Sequence, residues 1–541
     1  MPKQNASPSQ TLIKLLDETT KINPGATALL HNRERISYKT LQNRVYNLAS
    51  QLQKMGIGKE DRIGIWLPNI PEWIEVFFAC AHLGAIAVSI NTRFGTTEVS
   101  DILNRSGCKA LFVCSNPSDD KYLSILSQVN KNVLTALETV ITVGKPSGEA
   151  KDLQKIQLIT YAKLIQQSST VWLSTTISPS SKCIMFTTSG TTSLPKLVVH
   201  TQNGIASHAK DVAKSIKLDI PSSVILQAIP FCGVFGFSQA IAAISSGASI
   251  LCLPSFDASN TLDLIKEHNV THLNGSDEMF DRLINESSDL SDFNSVAFCG
   301  YASFTPSLSN IVQTCQEFGL TLVGLYGTSE LLAFLAVQKP ELPTSRRRRM
   351  GGFPVSESTK VRIRDPETGA AMPKGEVGEL EIKCVSRMEC YYQNPDATEL
   401  ALTKDGFFKT GDLGKICNDG SFEFLSRIGD ALRLGGFLVN PEEVENFIQK
   451  HPKVIGCQVV GINGPQRPTC AAFVTVEKGT HVSTQEIMEF CQTRLAKYKV
   501  PSYVFLISKF PTTTGPNGTK IQKTLLRDLA QKKIVSTTSN T

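Results

Sequence analysis

From Phe186 the chain runs Thr187-Thr188-Ser189-Gly190-Thr191-Thr192-Ser193-Leu194-Pro195-Lys196, six hydroxyl side chains and one glycine followed by Leu, Pro and Lys. These residue types suit a polyphosphate. Gly190 lets the backbone come close to a ligand, successive N–H groups can point inward, and Ser and Thr hydroxyls add donors. Lys196 adds a point charge. The order is not G-x-x-x-x-G-K-[ST], so this is not a Walker A loop. The same composition also describes a surface turn, and the remaining chain must decide between the two. Gly300-Tyr301-Ala302 and Gly327-Thr328-Ser329-Glu330 are two more glycine-bearing segments, each expected as a turn that ends a short apolar strand.

Those segments need a scaffold. Ile184, Met185 and Phe186 read as the end of a buried strand leading into the hydroxyl-rich loop. Before it, strand patterns at Asp61–Leu67 and Ile86–Ile90 alternate with helical patterns such as Leu41, Val45, Leu48 and Leu52, and Trp73 to Leu83. That alternation predicts an α/β fold with buried parallel strands. Thr139 to Gln167 reads as a strand, a charged turn and a helix. Val296–Tyr301 and Leu322–Tyr326 are further strands, and ligands of open α/β sheets sit at the carboxyl ends of strands. From Gly375 to Phe424 the pattern changes to short β elements. Beyond Asp430 a smaller unit begins: a helix capped by Asn440 with Pro441 at its first position, strands at Cys457–Ile462 and Ala471–Val476, and a helix opened by Ser483 and Glu486. A Gly/Thr/Lys tail, Pro511 to Arg527, is expected to follow.

Composition narrows the function classes. A chain of 541 residues is too long for one core and predicts two or three domains. With 41% hydrophobic and 19% charged residues it reads as a soluble globular protein. A net charge of +6 gives no case for a nucleic-acid binder. Fourteen scattered cysteines, with no C-x-x-C pair, fit a reduced compartment. Met1 to Thr20 has no apolar signal region and Ser539-Asn540-Thr541 is no targeting tripeptide, so a cytoplasmic location is expected. Ile220 to Phe256 has no charged residue, but Pro230, Gly233, Gly236, Gly247 and Pro254 punctuate it. It is expected to pass through a core as strand, loop, helix and strand, with no transmembrane segment. Arg346 to Arg349, four arginines in a row, are expected as a solvated loop.

Five stretches in one order resemble the adenylate-forming superfamily of acyl-CoA synthetases, luciferases and peptide-synthetase adenylation domains. They are Thr188 to Lys196; Tyr326-Gly327-Thr328-Ser329-Glu330; Asp405 to Asp412; Arg427-Ile428-Gly429-Asp430 with Gly435-Gly436; and Gly518-Thr519-Lys520-Ile521-Gln522-Lys523. The resemblance covers nearly the whole chain and is nearest to acyl-CoA synthetases. It implies layered α/β subdomains plus a β subdomain in a large domain, residues 1–429, and a small mobile α+β domain, residues 430–541, hinged at Asp430. It implies ATP, Mg²⁺ and coenzyme A. A carboxylate would attack the α-phosphate to give acyl-adenylate and pyrophosphate, and a thiol would then displace AMP.

The same resemblance assigns residues. Thr188, Ser189, Gly190, Thr191, Thr192 and Lys196 would cradle phosphates. Gly300, Tyr301, Ala302 and Gly327 would border the nucleotide, with Tyr326 stacked on adenine. Ser329 would touch the α-phosphate and Glu330 would hold the metal. Asp412 would take the ribose hydroxyls, a task that suits a carboxylate, and Arg427 would add a ribose or phosphate contact. Lys520 would bridge the substrate carboxylate and the α-phosphate. Cys232, Gly233 and Tyr301 would border the acyl pocket, where Gly233 stands in place of a frequent His and Tyr301 in place of a frequent Gly. Thr519 separates Gly518 from Lys520, and Ser193 and Ser329 replace Gly and Thr. Phe235-Gly236-Phe237-Ser238 lacks the carboxylate that amino-acid-activating domains use to pair a substrate amine, and an unpaired buried ammonium is costly. A small-molecule carboxylic acid is therefore the expected partner. A carrier protein remains the alternative thiol acceptor. A luciferase-like oxygenase and a nucleotide-binding homologue without catalysis also share this pattern.

Overall fold

In the computed structural model, the short apolar runs become the centres of three large sheets. The structure describes residues 10–116, 121–130, 132, 134–145, 156–166, 176–188, 195–305, 308–430, 432–434, 437–439, 441–463, 468–492, 495, 497–515 and 518–538. Arg62–Trp66, Ile86–Ser89, Ala110–Ser115, Thr139–Gly144, Gln157–Thr160 and Lys182–Thr187 lie parallel in one eight-stranded sheet. Helices such as Pro71–Leu83 and Thr96–Ser106 make the crossovers, as parallel neighbours require. The sheet then reverses. Leu197–Thr201 is antiparallel to Lys182–Thr187, and the two-residue strand Cys390–Tyr391 closes the edge, with Tyr391 opposite Val198.

A five-stranded sheet has the order His272–Leu273, Val224–Gln227, Ser249–Cys252, Thr27–His31, Glu34–Ser37. It takes the first strands of the chain away from the first sheet, although both read as one alternating pattern. The helices between the two sheets are buried on nearly every side. Pro71–Leu83 starts with Pro at its first turn and ends at Gly84 in the left-handed region, and every residue from Trp73 to Ala81 is buried. Trp73 stacks on Phe231 at 5.4 Å, Phe77 meets Phe237 edge-on at 5.0 Å, and Phe237 meets Phe186 at 5.1 Å. This aromatic chain fixes the strand before the hydroxyl-rich loop against the Pro230–Phe237 segment. Gly236 is required there, because a Cβ would lie 2.3 Å from the Pro230 carbonyl oxygen.

The uncharged stretch 220–256 is strand Val224–Gln227, helix Val234–Ser246 and strand Ser249–Cys252. Its 13-residue helix is too short to span a bilayer, and among the described residues no helix is long and apolar enough to cross a membrane. All fourteen cysteines are free, and ten of them are buried.

The third sheet has nine strands. Gly275–Ser276, Cys299–Ala302 and Leu322–Thr328 are parallel. From Leu322–Thr328 onward, Leu332–Val337, Gly351–Pro354, Phe422–Arg427, Phe408–Ile416, Gly378–Lys383 and Lys360–Arg364 follow antiparallel. Leu322–Thr328 is thus the pivot between the α/β part and the β subdomain. Gly300-Tyr301-Ala302 lies inside a strand rather than in a turn, as do Gly327 and Thr328. Only the residues after Thr328 turn.

Three other expectations are corrected. Residues 139–167 hold two strands before the helix Tyr161–Gln166. The tail is the hairpin Thr512–Gly515 with Gly518–Ile521, followed by the helix Lys523–Thr538. The arginine run is no solvated loop. Arg347 is buried and donates to the Leu322 carbonyl at 2.9 Å, the Leu342 carbonyl at 3.0 Å and Gln316 Oε1 at 2.6 Å. Arg346 pairs with Asp419 at 2.8 Å and Arg349 with Glu423 at 2.9 Å, while Arg348 is exposed. The run latches the pivot strand to the β subdomain.

Residues from Leu432 onward have cores of their own. One joins Leu434, Val444, Ile448, Val459 and Ile487; the other joins Val460, Phe473, Leu526 and Ala530.

Candidate active site

The hydroxyl-rich loop leaves and re-enters the first sheet through two pinned feet. Thr187 is opposite Leu197, the Thr188 N–H donates to the Lys196 carbonyl at 3.0 Å, and the Lys196 N–H donates to Thr188 Oγ1 at 3.1 Å. Arg105, paired with Asp101, donates to the Pro195 carbonyl at 2.8 Å. Thr188 and Lys196 are therefore fixed. Ser189, Gly190, Thr191 and Thr192 lie outside the described residues. The returning strand presents Lys196, Val198 and His200 on one face by its two-residue period, while Leu197 and Val199 pack into a different core.

His200 reaches the next hairpin. Its Nε2 donates to the Ser329 carbonyl at 2.8 Å, and His208 Nε2 donates to the Ala333 carbonyl at 2.6 Å. Burial pushes both imidazoles down to about 4, so both are neutral at pH 7. The Met388 N–H donates to the Glu330 carbonyl at 2.6 Å and Ser386 Oγ to the Leu331 carbonyl at 2.8 Å. Four backbone carbonyls of this turn are thereby tied to the protein, and the Ser329 and Glu330 side chains are left half-buried for other work. The turn is tight. A Cβ on Gly327 would lie 2.6 Å from Ala333 Cα, and Leu332 and Phe334 hold positive φ of 64° and 62°, a strained conformation for both.

Asp412 comes from the strand Phe408–Ile416 of the same sheet and is 2% exposed. Tyr326, on the pivot strand, donates its hydroxyl to Asp412 Oδ2 at 2.7 Å. Arg427, directly opposite Asp412 in the ladder, places Nε 2.9 Å from Oδ1 as an ion pair. That approach is out of hydrogen-bond line, so among the described residues Oδ1 has no aligned donor. Burial raises the Asp412 carboxyl, against the opposing pull of Arg427 and Tyr326. Tyr326 itself is buried between Phe422, edge-on at 5.2 Å, and Phe424, tilted at 5.9 Å.

Glu330 Oε1 accepts the Tyr391 hydroxyl at 2.8 Å, and Lys196 Nζ lies 4.4 Å above the Tyr391 ring. Among the described residues nothing donates to Glu330 Oε2. Nor does any group of three or more His, Cys, Asp or Glu there suit a metal ion. One carboxylate oxygen with no donor among the described residues, across the Tyr391 ring from Lys196, fits Mg²⁺, which takes one or two carboxylates plus substrate phosphates.

The remaining expected residues are more dispersed. Gly300 donates its N–H to Asn274 Oδ1 at 2.9 Å, and Tyr301 is buried with its hydroxyl on the Arg348 carbonyl at 2.9 Å. Ala302 ends the same strand. Cys232 is buried, its thiol pushed up to about 11 by burial, and Gly233 precedes the helix Val234–Ser246. Their neighbours Pro230 and Phe235 line a cavity of about 480 Å³ that also takes in Asn69, Arg93, Glu278 and Arg282. None of Tyr326, Glu330, Asp412 or Arg427 lines it. Lys520 stands opposite Thr513 in the C-terminal hairpin, and its side chain lies outside the described residues. Lys523, just beyond, anchors that hairpin through Glu445 at 2.8 Å. Asp430 ends the 3₁₀ turn Ile428–Asp430, where Arg527 donates to the Gly429 carbonyl at 3.1 Å.

His200, His208 and Tyr391 were not singled out from sequence. The two histidines read as ordinary strand and helix residues, and Tyr391 belongs to no motif read from the sequence; only its place beside Val198 in the sheet reveals it.

Lys196, the Ser329-Glu330 turn and Asp412 are thus linked through Tyr391, His200 and Tyr326. The chain belongs to the AMP-binding enzyme family, whose family model matches residues 16–392, and the AMP-binding enzyme C-terminal domain matches residues 443–515. It is an AMP-forming acid–thiol ligase of the acyl-CoA synthetase kind. It is 29% identical over 557 residues to a 2-methylpropanoate–CoA ligase of Humulus lupulus, covering 98% of this chain and 97% of that one. It is 28% identical over 551 residues to the human mitochondrial medium-chain acyl-CoA ligase ACSF2, covering 97% and 88%. The fold matches the crystal structure of ATP-bound MatB from Rhodopseudomonas palustris with a TM-score of 0.82 at 22% identity, over 96% of this chain and 99% of that one.

Proposed function

We propose that this protein joins a small carboxylic acid to coenzyme A at the expense of ATP, in two half-reactions at one site. In the first, a carboxylate oxygen bonds to the α-phosphorus and pyrophosphate leaves. In the second, the deprotonated thiol bonds to the acyl carbon and AMP leaves. The observation that carries this reading is Asp412, a buried carboxylate held between the Tyr326 hydroxyl and the Arg427 guanidinium beside the Ser329-Glu330 turn. Asp412 would take the ribose hydroxyls, with Tyr326 and Arg427 bordering the nucleotide.

Lys196 and the hydroxyl-rich loop would meet the phosphates, and Ser329 the α-phosphate. Glu330 would hold Mg²⁺, which when bound neutralises charge on the phosphate oxygens. Lys520 would bridge the reacting oxygens. Of these groups, Glu330 and Lys196 both touch Tyr391 before substrate arrives, and such preorganisation is where electrostatic catalysis gains most. Residues 1–429 would form the large domain and 430–541 a small one turning about Asp430, a division supported by the separate cores beyond Leu432. Cys232, Gly233 and Tyr301 would border the acyl group. Incubating the enzyme with ATP, Mg²⁺, coenzyme A and a panel of short, medium, long, aryl and dicarboxylic acids tests the reading. Mass spectrometry should find one class of acyl-CoA with matching AMP; ATP cleavage to ADP would exclude it.

A further inference from the structure

We propose that Tyr391 is a positioning residue that sets the Glu330 carboxylate and the Lys196 ammonium in register with each other; this rests on the placement of Mg²⁺ and phosphates given above. Three observations meet at this side chain. Its hydroxyl donates to Glu330 Oε1 at 2.8 Å. Its ring lies 4.4 Å beneath Lys196 Nζ. Its backbone is fixed in the sheet edge opposite Val198, with the Tyr391 N–H held by Thr398 Oγ1 at 3.0 Å.

The geometry follows from strand pairing. Tyr391 and Val198 are cross-strand neighbours, so their side chains share one face, and Lys196, two residues before Val198, occupies the diagonal position. The ring is therefore carried to the Lys196 stem by register alone. Tyr391 is 5% exposed and packs in the same cluster as Tyr326 and Leu335, so the platform is rigid. Glu330 and Lys196 are both half-buried side chains on different hairpins. Lys196 comes from the first sheet and Glu330 from the third. One aromatic side chain holds both, through an O–H···O bond on one and a cation–π contact on the other. Tyr391 occupies one Glu330 oxygen and leaves the other without a donor among the described residues.

The two contacts can be removed separately. Tyr391→Phe removes the hydroxyl and keeps the ring; Tyr391→Leu removes both. ATP affinity of the full chain, measured by calorimetry across Mg²⁺ concentrations, reports each. Tyr391→Phe should raise the Mg²⁺ concentration for half-maximal tightening about 5- to 10-fold, a coupling-sized effect, with ATP affinity in metal-free buffer unchanged. Tyr391→Leu should weaken metal-free ATP binding as well. In a Glu330→Gln background, Tyr391→Phe should change nothing further, because the two act through one group. A wild-type Mg²⁺ response in Tyr391→Phe, or full additivity with Glu330→Gln, would overturn the proposal. Thermal melting of Tyr391→Phe checks folding independently of both readouts. If the wild-type chain bound ATP with no response to Mg²⁺, the fault would lie in the placement of the metal, and the role of Tyr391 would fall with it.

Discussion

Tyr326 and Asp412 meet across two strands of the third sheet, hydroxyl to carboxylate at 2.7 Å, with the carboxylate almost fully buried. Tyr326 belongs to the pivot strand and Asp412 to the β subdomain, so one hydrogen bond joins the two parts of the sheet. Folding gains little from it. Burial raises the Asp412 carboxyl, so the anion is less stable in the fold than in the unfolded chain.

That sign makes a prediction about Asp412→Asn. The amide oxygen can still accept from Tyr326, and the cost of a buried charge disappears. The melting temperature at pH 7 should hold or rise, while ATP and AMP affinity should fall at least 10-fold. Calorimetric nucleotide titration and a thermal scan together check this. A parallel loss of stability and binding would make Asp412 structural rather than a ribose receptor.

Lys520→Ala should remove most adenylation and leave thioester formation from supplied acyl-adenylate largely intact. The comparison separates a residue needed in the first transition state from one needed throughout. Equal loss in both half-reactions would take Lys520 out of that role.

Asp430→Pro should spare adenylation and cripple the thiol step, since a fixed φ restricts rotation about the hinge. The Arg527 bond to the Gly429 carbonyl marks the contact such a rotation must rearrange. Single-turnover measurements of each step decide it; an unimpaired thiol step would refute the rotation.

His200 and His208 predict an acid-sensitive fold. Both are held neutral, at about 4, by burial, whereas an unfolded imidazole titrates near 6.5. Between those values the unfolded chain binds more protons, so stability is full above about pH 6.5 and falls as pH drops toward 4. His208→Gln, which can still donate to the Ala333 carbonyl, should flatten the slope of stability against pH by up to one proton. Denaturant midpoints from pH 4.5 to 7.5 measure it, and an unchanged slope would rule out the His208 contribution.

Much of this architecture is legible in the residue pattern because it rests on local periodicity. The strands Arg62–Trp66 and Ile86–Ser89, the helix Pro71–Leu83 and the strand ending at Thr187 all follow from short-range rules. Sheet membership does not. Thr27–His31 pairs with Ser249–Cys252, more than two hundred residues away, and nothing in its own sequence selects that partner. The same holds for Arg347, whose acceptors at Leu322 and Gln316 are distant in sequence, so a basic run read by composition alone looks solvated. Gly300 and Gly327 look like turn residues, yet both sit in strands where Asn274 and Ala333 respectively pack too closely for a Cβ. Tyr391 is hidden for a related reason: its work depends on Lys196 and Glu330, which only the sheet edge brings to it.

The central claim is that one site first makes an acyl-adenylate and then passes the acyl group to a thiol. Acid-dependent exchange of labelled pyrophosphate into ATP, followed by addition of coenzyme A, tests it most directly. The account predicts exchange with one class of carboxylic acid, abolished by Lys520→Ala, and release of AMP with acyl-CoA once the thiol is added. Tight ATP binding with no exchange for any acid across that panel would contradict it.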